Sequence, residues 1–124
     1  MRDYLWISLG AVTGASARYA FSRLAARTFS PSFPYGTLFI NVGGSFLLGF
    51  FLIWTTEKVL ADPHWRLLIA IGFCGSYTTF SSYAYETFAL MEQGQWGLMA
   101  ANFLANNLLC LLAVVAGAAL ARWA

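Results

Sequence analysis

The sequence predicts an all-α membrane protein with four transmembrane helices in a single domain, residues 1–124. The composition supports this, because 60% of the residues are hydrophobic, only 10% are charged and the mean hydropathy is +0.65; soluble domains carry about 25% charged residues. Four apolar segments also reach the roughly 20 residues that a helix needs to cross a bilayer. The net charge of +2 comes from scattered basic residues, so no nucleic-acid partner is expected.

The first span is predicted from Tyr4 to Leu24 and is expected to be retained, because no convincing signal-cleavage context follows it. Arg18 interrupts this span. Its guanidinium can either extend to the membrane surface or attract anions to a vestibule. Pro31 and Pro34 mark a loop, and the second span is predicted from Thr37 to Thr56.

The third span is predicted from Trp65 to Leu90. Asp62 is the expected N-cap of this helix, with Pro63 in its first turn. A tight link at Gln93–Gln95 leads to the fourth span, Trp96 to Ala121, which carries no charged residue. The four spans together therefore account for nearly the whole chain.

The third span contains a run of small and hydroxylated residues from Gly75 to Ser82. In lipid, every backbone N–H and C=O must find a partner, and irregular backbone is tolerated only where it is buried in protein or lines a polar cavity. We therefore expect the third helix to break in this run and to mark a site for an ion or a small polar solute.

Asparagines lie inside two of the spans. Asn41, in the second span, can donate its amide hydrogens to an anion or can hold two helices together. Asn102 and Asn106 lie four residues apart in the fourth span and share one helix face. That polar face is either a pore wall or an interface, and the sequence leaves both open.

Glu86 and two aromatic residues follow the glycine–threonine run. An ionisable residue inside a span is a functional candidate, although Glu86 can also reach water from near the end of its span. Phe80 and Tyr83 share a helix face, and the positive edges of their rings can face a small anion. Aromatic pairs at this spacing are more often simply packed together.

The basic residues divide almost evenly between the two membrane surfaces, so the positive-inside rule gives little preference for one orientation. This balance favours oppositely oriented copies that pair as an isologous dimer about a two-fold axis in the membrane plane. The alternative is that one orientation prevails by a small margin. The two sets are Arg2, Lys58, Arg66 and Arg122 against Arg18, Arg23 and Arg27.

Nothing in the sequence indicates an enzyme. It contains no His, Cys and carboxylate cluster at metal-ligand spacing, no nucleophile–base pair and no phosphate-binding motif. Cys74 and Cys110 both lie in apolar spans, and we expect them to be reduced and structural.

Three segments resemble signatures of the Fluc/CrcB family of fluoride channels: GASARY at residues 14–19, GTLFINVGGSF at residues 36–46 and GFCGSYTTFSSYAYE at residues 72–86. The resemblance covers the whole chain, including its length and number of spans. It implies a multi-pass protein of the inner or plasma membrane that forms an antiparallel dual-topology homodimer. It also implies two pores in the bilayer through which cytoplasmic fluoride leaves passively.

The resemblance further implies a structural Na⁺ at the dimer centre, held by the backbone carbonyls of Gly75 and Thr78. The family's pore asparagine corresponds to Asn41. Its two pore phenylalanines correspond to Phe80 and to Tyr83, where this chain has tyrosine in place of the usual phenylalanine. The polar track of the family includes positions that match Ser81, Ser82 and Glu86.

Two other functions remain as alternatives. A small dual-topology multidrug or cation exporter would need a central carboxylate for proton coupling, and the candidate, Glu86, lies near the end of its span. A non-transporting assembly subunit would explain the glycines, but it gives no purpose to Asn41 or to the threonine pair.

Overall fold

The computed structural model describes residues 1–59 and 61–124, and every regular element in these ranges is a helix. The three long helices are α1 (Arg2–Thr28), α2 (Tyr35–Ile53) and α6 (Trp96–Trp123), and α2 continues into a π-helical turn at Trp54–Lys58. The chain between them forms α3 (Pro63–Trp65), a π-helical segment (Arg66–Cys74), α4 (Gly75–Tyr77) and α5 (Phe80–Glu92).

The predicted third span is therefore not a single α-helix. Arg66–Cys74 has the wider π-helical hydrogen-bonding pattern, in which each bond spans one more residue than in an α-helix. The helix also stops after Tyr77 and starts again at Phe80. α1 ends at Thr28 rather than Leu24, and α6 ends at Trp123 rather than Ala121. α2 ends at Ile53, before the predicted Thr56, although its π-helical continuation reaches Lys58.

Local sequence explains where the later helices begin. Asp62 caps α3 as predicted, because its carboxylate accepts the His64 backbone N–H at 2.9 Å. That hydrogen bond, together with a 2.6 Å bond to the His64 imidazole, holds the pKa of Asp62 below its usual value. Gly94 has a φ of +69° in the link between α5 and α6, a conformation that glycine adopts without steric cost.

Glycines allow the helices to approach at backbone distance. α1 packs against the segment Arg66–Cys74 and α2 packs along α6. A Cβ atom added at Gly72 would lie 2.6 Å from the Ile7 carbonyl oxygen and 2.8 Å from the Gly10 Cα. Gly49 on α2 meets the backbone of Val114 on α6 in the same way. Close contacts between small residues are the usual means of packing helices in membranes.

The distribution of side chains is the reverse of that in a water-soluble protein. Ile40, Cys74 and Asn102 are the largest side chains that are fully buried, whereas large apolar side chains such as Leu111 and Leu112 are more than half exposed. Buried polar groups and exposed apolar surfaces are the informative exceptions to ordinary burial. They fit a membrane protein, whose outer surface contacts lipid.

Within the described residues, two helices are long and apolar enough to cross a membrane by length and composition: Tyr35–Lys58 and Trp96–Trp123. The two cysteines, Cys74 and Cys110, are free, as the sequence predicted.

Candidate ion site

The backbone leaves the helical conformation for two residues between α4 and α5. Thr78 (φ −77°, ψ 158°) and Thr79 (φ −149°, ψ 112°) are both extended. The Thr78 hydroxyl donates back to the Cys74 carbonyl at 2.9 Å, while the Thr79 hydroxyl accepts the Ser82 backbone N–H at 3.1 Å and so caps α5. The Thr79 hydroxyl thus replaces a helical backbone acceptor at the interruption, whereas the Thr78 hydroxyl adds to the bond that the Thr78 N–H already makes to the Cys74 carbonyl at 3.0 Å.

Two backbone N–H groups of this segment donate to side chains instead of to the backbone carbonyls that they would reach in a continuous helix. In a continuous α-helix, the N–H of Thr79 would bond to the Gly75 carbonyl and that of Ser82 to the Thr78 carbonyl. Here the Thr79 N–H donates to Asn41 Oδ1 at 2.8 Å, and the Ser82 N–H donates to the Thr79 hydroxyl. The carbonyls of Gly75 and Thr78 therefore lack their α-helical donors.

Asn41 on α2 is the residue that holds the interruption in place. Its side chain is 8% exposed, and its Nδ2 donates to the Thr79 carbonyl at 3.0 Å and to Asn106 Oδ1 at 3.1 Å. Because Oδ1 accepts the Thr79 N–H, one amide pairs with both backbone groups of Thr79. Both amide hydrogens of Asn41 are thus engaged within the chain.

A cavity of about 290 Å³ brings several of the predicted residues together. Asn41 and Thr78 line it with Phe80, Tyr83 and Asn107. The Phe80 ring is 77% exposed and meets the buried Tyr83 ring edge-on, with 5.3 Å between the centroids. The Tyr83 hydroxyl accepts from Asn107 Nδ2 at 3.0 Å, so part of its hydrogen-bonding capacity is already used.

The two serines of the predicted polar track lie on the first turn of α5. Ser81 is exposed and Ser82 is half-buried. The Ser82 hydroxyl oxygen accepts from the Thr79 hydroxyl at 3.0 Å. The hydroxyl hydrogen of Ser82 is therefore free to donate elsewhere.

Glu86 lies apart from this cavity. It lines a second cavity of about 430 Å³ beside the loop between α1 and α2. Its Oε1 accepts from the Thr37 hydroxyl at 2.7 Å, while its buried Oε2 has no hydrogen-bond partner among the described residues. Arg18 is half-buried on α1 and is not among the residues that line either cavity.

Sequence reasoning missed two residues of this region. The sequence indicates Thr37 only as the start of the second span, although it lies one helical turn before Asn41, and that spacing identifies it as a neighbour of Asn41. The sequence indicates Thr79 only as part of the glycine–threonine run. Its role as cap and as partner of Asn41 depends on a contact between residues 38 positions apart in the chain, which the sequence does not reveal.

In the part of the chain that the structure describes, no group of three or more His, Cys, Asp or Glu side chains could hold a metal ion. Gly75 itself is exposed on the surface of the single chain.

Comparison with known proteins shows similarity along the whole chain. A family model described as "CrcB-like protein, Camphor Resistance (CrcB)" matches residues 5–118. The chain is 62% identical over 122 residues to a protein of Koribacter versatilis, with 98% of this chain and 97% of the relative covered. It is 46% identical over 122 residues to a protein of a Sulfurihydrogenibium species, with 98% of each covered. Both relatives are named fluoride-specific ion channel FluC.

Proposed function

This chain belongs to the CrcB-like protein family, and on that premise we propose that it is a fluoride-specific ion channel through which cytoplasmic fluoride leaves the cell passively. The observation that carries this function is the 62% identity to a fluoride-specific channel over nearly the full length of both proteins. A channel catalyses no covalent reaction, in agreement with the absence of an enzymatic motif. The same family membership makes the chain a membrane protein.

Purified protein in liposomes is expected to release internal fluoride but not chloride, as measured with ion-selective electrodes after the membrane potential is short-circuited. Hydrated fluoride needs replacement donors in series along its path, and the larger chloride ion would not fit a path built for fluoride. Equal release of both anions would contradict selectivity. Proton-coupled uptake of an organic cation would instead favour the exporter alternative.

The permeation path that we propose runs along the interrupted segment. Phe80 presents an exposed ring whose edges are positive, and Tyr83 lies against it. The hydroxyls of Ser81 and Ser82 offer donors on the adjacent turn, and Thr37 and Glu86 lie further along. Asn41 sets the geometry of this path through its contacts with Thr79. We place Arg18 at a vestibule, where a fixed positive charge would raise the local anion concentration.

We also propose that the chain crosses the membrane four times and forms an antiparallel homodimer in the inner or plasma membrane. The nearly balanced charges of the loops support this, as does the exposure of Gly75 and Phe80, which a partner copy would cover. With a protease-cleavable tag at the C-terminus, about half of the copies in sealed vesicles should be cleaved from outside. Complete cleavage or complete protection would exclude dual topology.

The freed carbonyls of Gly75 and Thr78 fit a structural Na⁺ at the dimer centre. Carbonyls at the ends of broken helices in membranes are known ligands of Na⁺, and the helix dipole adds negative potential at the C-terminal end of such a segment. A bound Na⁺ would supply a fixed positive charge between the two copies. The residues of this chain keep the two carbonyls free of backbone donors, as described above.

Replacing Na⁺ by N-methylglucamine during purification and reconstitution is expected to lower fluoride efflux strongly. Adding Na⁺ back, but not choline, should restore the efflux, because only a small cation can be bound by carbonyl oxygens. Full efflux from protein that elemental analysis shows to be free of Na⁺ would contradict this site.

A further inference from the structure

We propose that Asn106 and Asn102 of α6 are positioning residues, which hold the Asn41 amide in the one orientation that keeps the helix open at Thr79. Four side chains and two backbone groups form a chain of hydrogen bonds, here called the relay, in which every donor points the same way. It begins at the Thr79 N–H and passes through Asn41 on α2 and the two asparagines of α6 before it returns to α5. The consequence for fluoride movement rests on the proposed function; the relay itself does not.

The bonds of the relay are short, and most of their atoms are buried. Thr79 N–H donates to Asn41 Oδ1 at 2.8 Å, and Asn41 Nδ2 donates to Asn106 Oδ1 at 3.1 Å. Asn106 Nδ2 donates to the side-chain and backbone oxygens of Asn102 at 2.9 and 3.1 Å. Asn102 Nδ2 donates to the Thr87 hydroxyl at 3.0 Å.

The bond from Asn102 to Thr87 brings the relay to α5, the helix that Thr79 caps, and the Thr87 hydroxyl donates in turn to the Tyr83 carbonyl of the same helix at 2.7 Å. Asn102 and Asn106 are 0% and 5% exposed, so water is not available to replace a lost partner. The arrangement therefore joins α5 to α2 and to α6 through buried polar bonds.

The direction of the relay is fixed by the backbone. The N–H of Thr79 can only donate, so the oxygen of Asn41 must face it and the nitrogen of Asn41 must face Asn106. Asn106 must then accept with its oxygen and donate with its nitrogen to Asn102. If Asn106 were removed, the Asn41 amide would lose one of the two bonds of Nδ2 that oppose its rotation, and the bond to the Thr79 carbonyl would remain. The Thr79 N–H would then be held less firmly.

The test is hydrogen exchange of the full-length protein in lipid nanodiscs, resolved to single residues by fragmentation mass spectrometry. Asn106→Ala is expected to raise the exchange rate of the Thr79 N–H by about tenfold, the factor that corresponds to one buried hydrogen bond. The Ala113 N–H, further along α6, should exchange as in the unmodified protein. Asn107→Leu is the matched control, because this neighbouring asparagine lies outside the relay, and it should leave Thr79 unchanged.

Unchanged protection of Thr79 in Asn106→Ala would overturn the proposal, and so would an equal rise at Ala113, since that would indicate general loosening. If Asn106→Ala does not fold, Asn102→Ala serves instead. It removes one of the two oxygens that Asn106 contacts and should give a smaller rise at Thr79; no rise would also overturn the proposal. This experiment needs no ion flux, so its failure is distinct from a failure of the channel function.

Discussion

Replacing Asn41 with leucine is expected to reduce fluoride efflux to the level of protein-free liposomes. The buried Thr79 N–H and Asn106 Oδ1 would lose the partner that they share. An unsatisfied buried polar group costs about 1–3 kcal/mol, which the segment can recover by letting Thr79 bond to Gly75 in a continuous helix. A continuous helix would use the carbonyls of Gly75 and Thr78 for its own hydrogen bonds. It would also move the rings of Phe80 and Tyr83 from their present positions. Electrode-recorded efflux from liposomes measures this loss.

Asn41→Asp is the comparison of nearly equal shape: aspartate keeps an oxygen to accept the Thr79 N–H but sets its other oxygen against two acceptors, the Thr79 carbonyl and Asn106 Oδ1. Because a buried carboxylate without donors is costly, its efflux should also fall well below that of the unmodified protein. If the Asn41→Leu protein elutes as a folded protein and releases fluoride as fast as the unmodified protein does, that result would show that Asn41 is not needed for the permeation path.

Gly72→Ala is expected to destabilise the bundle strongly and to lower its unfolding temperature. The added Cβ would lie 2.6 Å from the Ile7 carbonyl oxygen and 2.8 Å from the Gly10 Cα, and both neighbours are backbone atoms that cannot rotate away. Overpacking a close contact costs about 1–3 kcal/mol or more, which is a large part of the 5–15 kcal/mol by which proteins are usually stable. α1 would have to separate from the Arg66–Cys74 segment. Thermal unfolding in detergent, followed by size-exclusion chromatography, measures the effect.

Gly97→Ala is the matched control for this substitution, since nothing lies within 4 Å of a Cβ at Gly97. It lies near the start of α6, where alanine favours the helix more than glycine does. We expect its unfolding temperature to equal or exceed that of the unmodified protein. Equal unfolding temperatures of Gly72→Ala and Gly97→Ala would mean that the close contact at Gly72 contributes little to the stability of the bundle.

Sequence reasoning located the elements well because their signals are local. A proline pair ends one helix, Asp62 begins another, and the extended residues Thr78 and Thr79 fall inside the glycine–threonine run that the sequence singled out. The helix is interrupted at these two threonines because their hydroxyls bond to nearby backbone groups and so compete with the hydrogen bonds of the helix.

The partners within the site could not be predicted in the same way. Asn41 and Asn106 are 65 positions apart, and either could equally have faced a pore or a partner subunit. The pairing of Thr37 with Glu86 joins two helices over 49 positions. Periodicity assigns a residue to a face of its own helix, but the rotation of one helix against another depends on packing of the whole bundle. The π-helical pattern of Arg66–Cys74 gave no distinct sequence signal either.

The reversed distribution of side chains changes which substitutions this protein can accommodate during evolution. Leu111 and Leu112 point outward from α6, so many apolar residues would serve there, and their identities are free to drift. The interior asparagines have no such freedom, because each accepts and donates with a defined partner and no other residue of similar size carries both a carbonyl oxygen and an NH₂ group. Polar interior positions, rather than apolar ones, should therefore diverge most slowly among descendants of this chain.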